Sequence, residues 1–150
     1  MSLVTIGMNH KTANLDIREK LSVDKNESHN ILKKLHSMPL IEEVFLLSTC
    51  NRTELYCEID DLQYVDNVSK WLLKQKGLSP KDFEDNMYSY SDSSVVRHAL
   101  NVASGLDSMI IGEPQILGQF KDAFNEANNA GTIGKNLDRL FQYAFSTAKE

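Results

Sequence analysis

Cysteine is scarce in this chain, with two in 150 residues, Cys50 and Cys57. Seven positions apart, they make neither a disulfide framework nor a zinc-ligand spacing, and such usage points to a reducing, cytoplasmic setting. Three prolines and seven glycines leave no low-complexity segment, and no internal repeat is present. No apolar run approaches the roughly 20 residues of a membrane helix. The first ten residues lack a basic n-region and an apolar h-region, so no signal peptide is expected. Basic residues are outnumbered, 16 against 21 acidic, for a net charge of -5. That balance exerts no general pull on nucleic acid, and a nucleic-acid partner must be met by a local patch. Lys70, Lys74, Lys76 and Lys81 could touch phosphate, although a solvated helix face accounts for them as well.

What remains is an ordinary globular composition, long enough for one domain that buries roughly 70% of its unfolded surface. Leu3 to Met8 reads as a strand, and Gly7 within it signals a bulge or a close approach. Leu15, Ile17 and Leu21 suggest a short helix. Asp24 followed by Glu27 marks the start of another, with Ile31, Leu32, Leu35 and Met38 at helical spacing before Pro39. Val44 to Leu47 is a near-continuous apolar run, as in a buried strand. Thr53, Leu55, Cys57 and Ile59 alternate with Glu54, Tyr56 and Glu58, the pattern of a half-buried strand with Cys57 in the core. Asp60 and Asp61 can cap a helix with the stripe Leu62, Val65, Val68, Trp71 and Leu72, and Met87 to Tyr90 is a short strand. The order β-α-β-β-α-β predicts an α+β fold, a ferredoxin-like antiparallel sheet with two helices on one face. C-terminal helices follow: one carrying Val95 to Val102, one opened by Pro114 and lined by Phe120 and Phe124, and one lined by Leu137, Phe141 and Phe145. The last stripe reaches Glu150 with no stop signal, so this helix is expected to run on beyond the chain.

One stretch carries chemistry on its face. Leu46 to Tyr56 is strand, polar turn, strand, with Cys50 where the chain reverses and Thr49, Asn51 and Arg52 around it. A thiol there is exposed, and a cation two residues away favours the nucleophilic thiolate form. The competing reading is a small apolar residue at a strand end. No His or Asp lies nearby in sequence to complete a triad.

Three stretches together resemble the N-terminal region of the glutamyl-tRNA reductase family: Gly7 to Ala13, Ser48 to Glu54, and Gly105 to Gln119. The resemblance covers essentially all 150 residues. It implies that residues 1–150 are the catalytic domain, ending at or within a connecting helix, with NADPH-binding and dimerisation domains outside this chain. The implied activity is reduction of the glutamyl group of glutamyl-tRNA to glutamate-1-semialdehyde with NADPH, through a cysteine thioester, at the start of tetrapyrrole synthesis. Implied partners are glutamyl-tRNA, a second copy in a homodimer and the next enzyme of the pathway. The Gly-x-Gly-x-x-Gly fingerprint of a dinucleotide site is nowhere in these residues. By the resemblance, Cys50 matches the nucleophile and His98 a histidine important for activity. Thr49, Cys50, Asn51, Arg52, Ser108, Glu113, Pro114, Gln115 and Gln119 match substrate contacts.

Each residue also has its own chemistry. Arg52 can fork onto a carboxylate, or pair with Glu54 or Glu58 as a surface cation. Gln115 and Gln119 share a helix face at i and i+4, and Glu113 can bind an ammonium or compensate a helix dipole. His98 reads as a hydrogen-bonded structural histidine, a proton donor to the departing hydroxyl, or a residue shaping the pocket. His10 could border the same pocket. No metal-ligand spacing is present. The rival function is a non-catalytic RNA-binding or regulatory βαββαβ module, against which no strand carries the aromatic motif needed for base stacking.

Overall fold

The computed structural model describes residues 1–107 and 115–148. Strand β1 spans Ser2–Asn9, and α1 (Leu15–Leu21) and α2 (Lys25–His36) follow it. Strands β2 (Ile41–Ser48) and β3 (Arg52–Ile59) form a hairpin. Next come a 3-10 turn at Leu62–Tyr64, α3 (Val65–Gln75), α4 (Pro80–Phe83) and β4 (Tyr88–Ser91). Three helices complete the described chain: α5 (Ser93–Ala103), α6 (Ile116–Ala130) and α7 (Lys135–Ala148). The sheet order is β2-β3-β1-β4 with antiparallel neighbours throughout, the ferredoxin-like arrangement.

Local chemistry accounts for several boundaries. Asp24 accepts from the Glu27 amide at 2.8 Å while Glu27 reaches back to the Asp24 amide, a capping box that starts α2. Asn14 caps α1 through the Ile17 amide, and Asp61 caps the 3-10 turn through Gln63. That turn leaves Leu62 exposed, and Trp71 is only partly buried; Val68, Leu72 and Leu73 are the residues α3 commits to the core. Gly131 ends α6 at φ +76, a left-handed conformation that favours glycine.

Side chains alternate across the sheet. One face is apolar, with Val4 and Ile6 of β1, Val44 and Leu46 of β2, and Leu55 and Cys57 of β3 in register beneath α2 and α3. The other face is not open, which corrects the expectation of a half-buried β3: every residue of that strand is buried. The C-terminal helices are the reason. Phe45 and Tyr56 project from this second face into an aromatic cluster with Phe120 of α6 and Phe141 of α7, and Phe124 and Phe145 extend it.

Glu43, at a β-bulge in β2, fixes α7 against the sheet. Its buried carboxylate accepts from the backbone amides of Gly134 (2.7 Å), Leu137 (2.9 Å) and Asn136 (3.2 Å), satisfying orphan donors at a helix start. Gly134 has no room for a side chain, because a Cβ there would sit 2.6 Å from the Glu43 carboxyl carbon.

Candidate functional site

The β2–β3 hairpin puts Cys50 at its tip. Ser48 pairs with Thr53, and the Thr49 amide donates to the Arg52 carbonyl at 2.7 Å, so the turn closes immediately beneath the cysteine. The Asn51 amide donates to the Thr49 hydroxyl oxygen at 3.2 Å. Cys50 is exposed, and its Sγ lies 3.9 Å from Asn51 Oδ1. The base is pinned through Ser48, whose hydroxyl oxygen accepts from the Val23 amide at 3.0 Å. Cys57 is the opposite case: it is buried, and desolvation beside Glu58 pushes its thiol up to about 12. The core assignment for Cys57 therefore holds.

Arg52 does not turn its guanidinium outward. It is 1% exposed and lies on the β3 face that also carries Glu54 and Tyr56. Nη1 sits 3.0 Å from Asp107 Oδ2 and 3.4 Å from Glu54 Oε2, and Nη2 donates to the Asp107 carbonyl. Lys11 closes on the other Asp107 oxygen at 2.8 Å. The reading of Arg52 as a surface cation is thereby excluded, although its pairing with Glu54 is real.

Glu54 is the hub. Tyr56 donates to Oε1 at 3.0 Å, while the Tyr88 hydroxyl, His98 Nε2 and Arg52 Nη1 all converge on Oε2. Burial alone would push this carboxyl up, but the hydrogen bond and charge of His98, then Arg52 and Tyr88, hold it below the ordinary glutamate value. Burial and the Glu54 charge push the Tyr88 and Tyr56 phenols well up, so both remain donors. Burial would likewise raise Asp107, but the Lys11 hydrogen bond and the Arg52 charge bring it below the ordinary range. Gly7 makes the cluster possible. A Cβ there would meet Glu54 Cγ and the Thr53 carbonyl at 2.8 Å, so this glycine serves a close approach and not a bulge.

His98 is buried and hydrogen-bonded, and no hydrogen bond joins it to Cys50. Tyr90 packs over its ring at a centroid distance of 4.8 Å. His10 borders the same charges and is pushed down by its own burial and by Arg52. Gln119 stands half-buried one turn into α6, its Oε1 without a partner among the described residues, and Gln115 is exposed at the helix start. Ser108, Glu113 and Pro114 lie outside the described residues. Of the Lys70–Lys81 group, Lys70 pairs with Asp66 at 2.9 Å and Lys76 with Glu27.

Two cavities flank these groups. One of about 560 Å³ lies between the start of α2 and α6, against Ser48, Gln119 and Glu126. The other, about 250 Å³, is lined by Tyr90, Arg97, His98, Asn101 and Asp107. Cys50 lines neither, although Ser48 at the base of its hairpin and Gln119 both line the larger one. No group of three His, Cys, Asp or Glu among the described residues could hold a metal ion, and no helix among them is long and apolar enough to cross a membrane.

Sequence reasoning missed Glu54, Tyr56, Tyr88, Asp107 and Lys11 as parts of the site. The available signal was the Val44–Leu47 run: apolar residues at consecutive strand positions announce burial on both faces. The polar set Arg52, Glu54 and Tyr56 on β3 then had to be buried as well.

The family model described as the N-terminal domain of glutamyl-tRNA(Glu) reductase matches residues 6–150. The chain belongs to this family. It is 49% identical over all 150 residues to proteins named glutamyl-tRNA reductase from Shewanella putrefaciens and Shewanella oneidensis. It spans about a third of their length, 35% in each case. Among solved structures, glutamyl-tRNA reductase from Methanopyrus kandleri matches with a TM-score of 0.80 at 29% identity, over 98% of this chain and 33% of that one.

Proposed function

We propose that this chain is the acylation domain of an enzyme that reduces glutamyl-tRNA(Glu) to glutamate-1-semialdehyde, opening tetrapyrrole biosynthesis. The observation that carries this reading is an exposed thiol at a hairpin tip, beside a buried ionic cluster, in a chain of this family. An aminoacyl-tRNA is an activated ester. The Cys50 sulfur attacks the glutamyl carbonyl, a carbon–sulfur bond forms, the carbon–oxygen bond to the terminal ribose breaks, and the ribose oxygen leaves as a hydroxyl after taking a proton. The product is a thioester, which accepts hydride where a free carboxylate does not.

Arg52 is the group for the glutamyl side-chain carboxylate. That role rests on the resemblance; both Nη atoms are engaged by Asp107 and Glu54, and the buried Nε has no partner among the described residues. Thr49 and Asn51 flank the thiol and supply hydrogen bonds; Ser108, Glu113, Pro114, Gln115 and Gln119 are further contacts on the strength of the resemblance. To His98 we assign the shaping of the pocket, because its Nε2 is taken by Glu54.

NADPH supplies the hydride for the second half of the reaction. The described residues do not fit it: the sheet is antiparallel and offers no Gly-rich turn from a parallel strand into a helix. Its binding domain belongs to sequence outside these 150 residues, and a dimerisation domain and homodimer rest on the resemblance alone. Contact with the enzyme that consumes the aldehyde rests on the resemblance alone. The rival, a sheet that stacks RNA bases, needs an open sheet face; the central strand β3 is buried on both faces, and the exposed strand is the four-residue edge strand β4.

The test is aldehyde formation from glutamyl-tRNA and NADPH by the protein carrying all its domains, beside Cys50→Ser. Product from the wild type and none from the variant is expected; undiminished product from Cys50→Ser contradicts the reading.

A further inference from the structure

A side chain that lies 32 positions earlier reaches the hairpin tip that carries Cys50. Arg18, half-buried on α1, donates from Nε to the Cys50 carbonyl at 3.2 Å and from Nη1 to the Ala13 carbonyl at 2.8 Å. The Ala13 end of this bridge is rigid. The Thr12 and Ala13 amides both donate to the Asn9 carbonyl at 3.0 Å, the Lys11 amide donates to Asn9 Oδ1 at 2.9 Å, and Asn86 donates to the Thr12 carbonyl at 2.9 Å. Asn9 in turn pairs with Arg52 across the sheet. The Cys50 end is the tip of a hairpin, ordinarily the most mobile part of one.

We infer that Arg18 is a positioning residue for Cys50, a guanidinium clamp that sets the orientation of the Cys50–Asn51 peptide and so the direction in which the thiol projects. The inference rests on the reading of Cys50 as the nucleophile. A planar fork with fixed donors suits two carbonyls on different segments, whereas a lysine ammonium is a flexible point charge and does not reproduce the bridge. A nucleophile must sit close to its near-attack position, and a misplacement of about 1 Å costs about 100-fold in rate. Arg18 touches neither reacting atom in this scheme, so its loss should fall on the acylation rate and spare substrate affinity.

The experiment uses the protein with all its domains and follows single-turnover acylation from glutamyl-tRNA by acid-quenched intact mass. Wild type, Arg18→Lys, Arg18→Ala and Cys50→Ser are compared, with thermal melting of each. The expected result is an acylation rate about 10- to 100-fold lower in both Arg18 variants, with half-saturation within about twofold of wild type. Guanidinium chloride, at concentrations well below those that denature, should speed Arg18→Ala severalfold and leave wild type unchanged. A rate within about twofold of wild type in Arg18→Ala overturns the inference. So does a fall with no guanidinium rescue that tracks a lowered melting temperature, which marks Arg18 as structural only. An adduct that persists in Cys50→Ser defeats the nucleophile reading itself. Unaltered Arg18 variants beside a dead Cys50→Ser defeat only the clamp.

Discussion

Strand β3 is buried on both sides, yet its two faces have little in common. Thr53, Leu55, Cys57 and Ile59 meet the apolar layer under α2 and α3. Arg52, Glu54, Tyr56 and Glu58 are equally hidden from water beneath the C-terminal helices. The first face requires only packing. On the second, every polar group has to find a partner, because an isolated buried charge costs several kcal/mol. A fold gains nothing obvious from placing Arg52, Glu54 and His98 where leucines would pack. The difference therefore marks the second face as the one that serves a site, and the hairpin tip where the strand begins carries the exposed thiol.

The largest effect should come from removing the hub. Glu54→Leu is more apolar yet takes the acceptor from His98 and two phenols and leaves Arg52 to Asp107 alone, and is expected to cost about 3–5 kcal/mol in urea unfolding. A loss under about 1 kcal/mol would mean that the polar face is no more than a tolerated surface. The neighbouring change on the packing face, Leu55→Ala, should cost about 2–5 kcal/mol through its cavity alone. It should leave the rate of Cys50 alkylation by iodoacetamide unchanged, and a slowed rate would tie the apolar layer to the site.

Much of this architecture was legible in the sequence. The Asp24–Glu27 capping box, the Cys50 turn and the core position of Cys57 followed from local pattern, and the structure has each of them. What was not legible is long-range. The alternation of β3 reads the same whether its polar face meets water or another layer; only the Phe120, Phe124 and Phe141 stripes, far along the chain, decide that. Asp107 and Arg52 are 55 positions apart, and no periodicity joins them. The Glu43 cap on α7 is of the same kind, a carboxylate from a strand satisfying a helix start about 90 positions later.

That cap gives the next prediction. Gly134→Ala drives a methyl into the Glu43 carboxylate and should destabilise by about 1–3 kcal/mol, read as a lower melting temperature. An unchanged melting point would show that α7 is not held from β2.

The smallest effects are in pH, and here two acids on the same face should differ in sign. Glu54 is held below its ordinary value, so its stabilisation is present above about pH 4.3 and is lost as pH falls through the folded value. Burial and the neighbouring Glu43 push Glu58 up, so its contribution is full below the ordinary glutamate value and is lost as pH rises through the higher folded one. Glu54→Gln should flatten the acid limb of a stability–pH curve, and Glu58→Gln should raise stability toward neutral pH. Curves that change in the same direction for both variants would contradict the assignment.

The most direct test of the account is to locate the acyl group. After brief exposure to glutamyl-tRNA and an acid quench, proteolytic peptides are mapped by mass spectrometry. A glutamyl group on Cys50, with Cys57 unmodified, is the predicted result. A glutamyl group on Cys57, or one that persists in Cys50→Ser, would contradict the claim that the hairpin thiol does the chemistry.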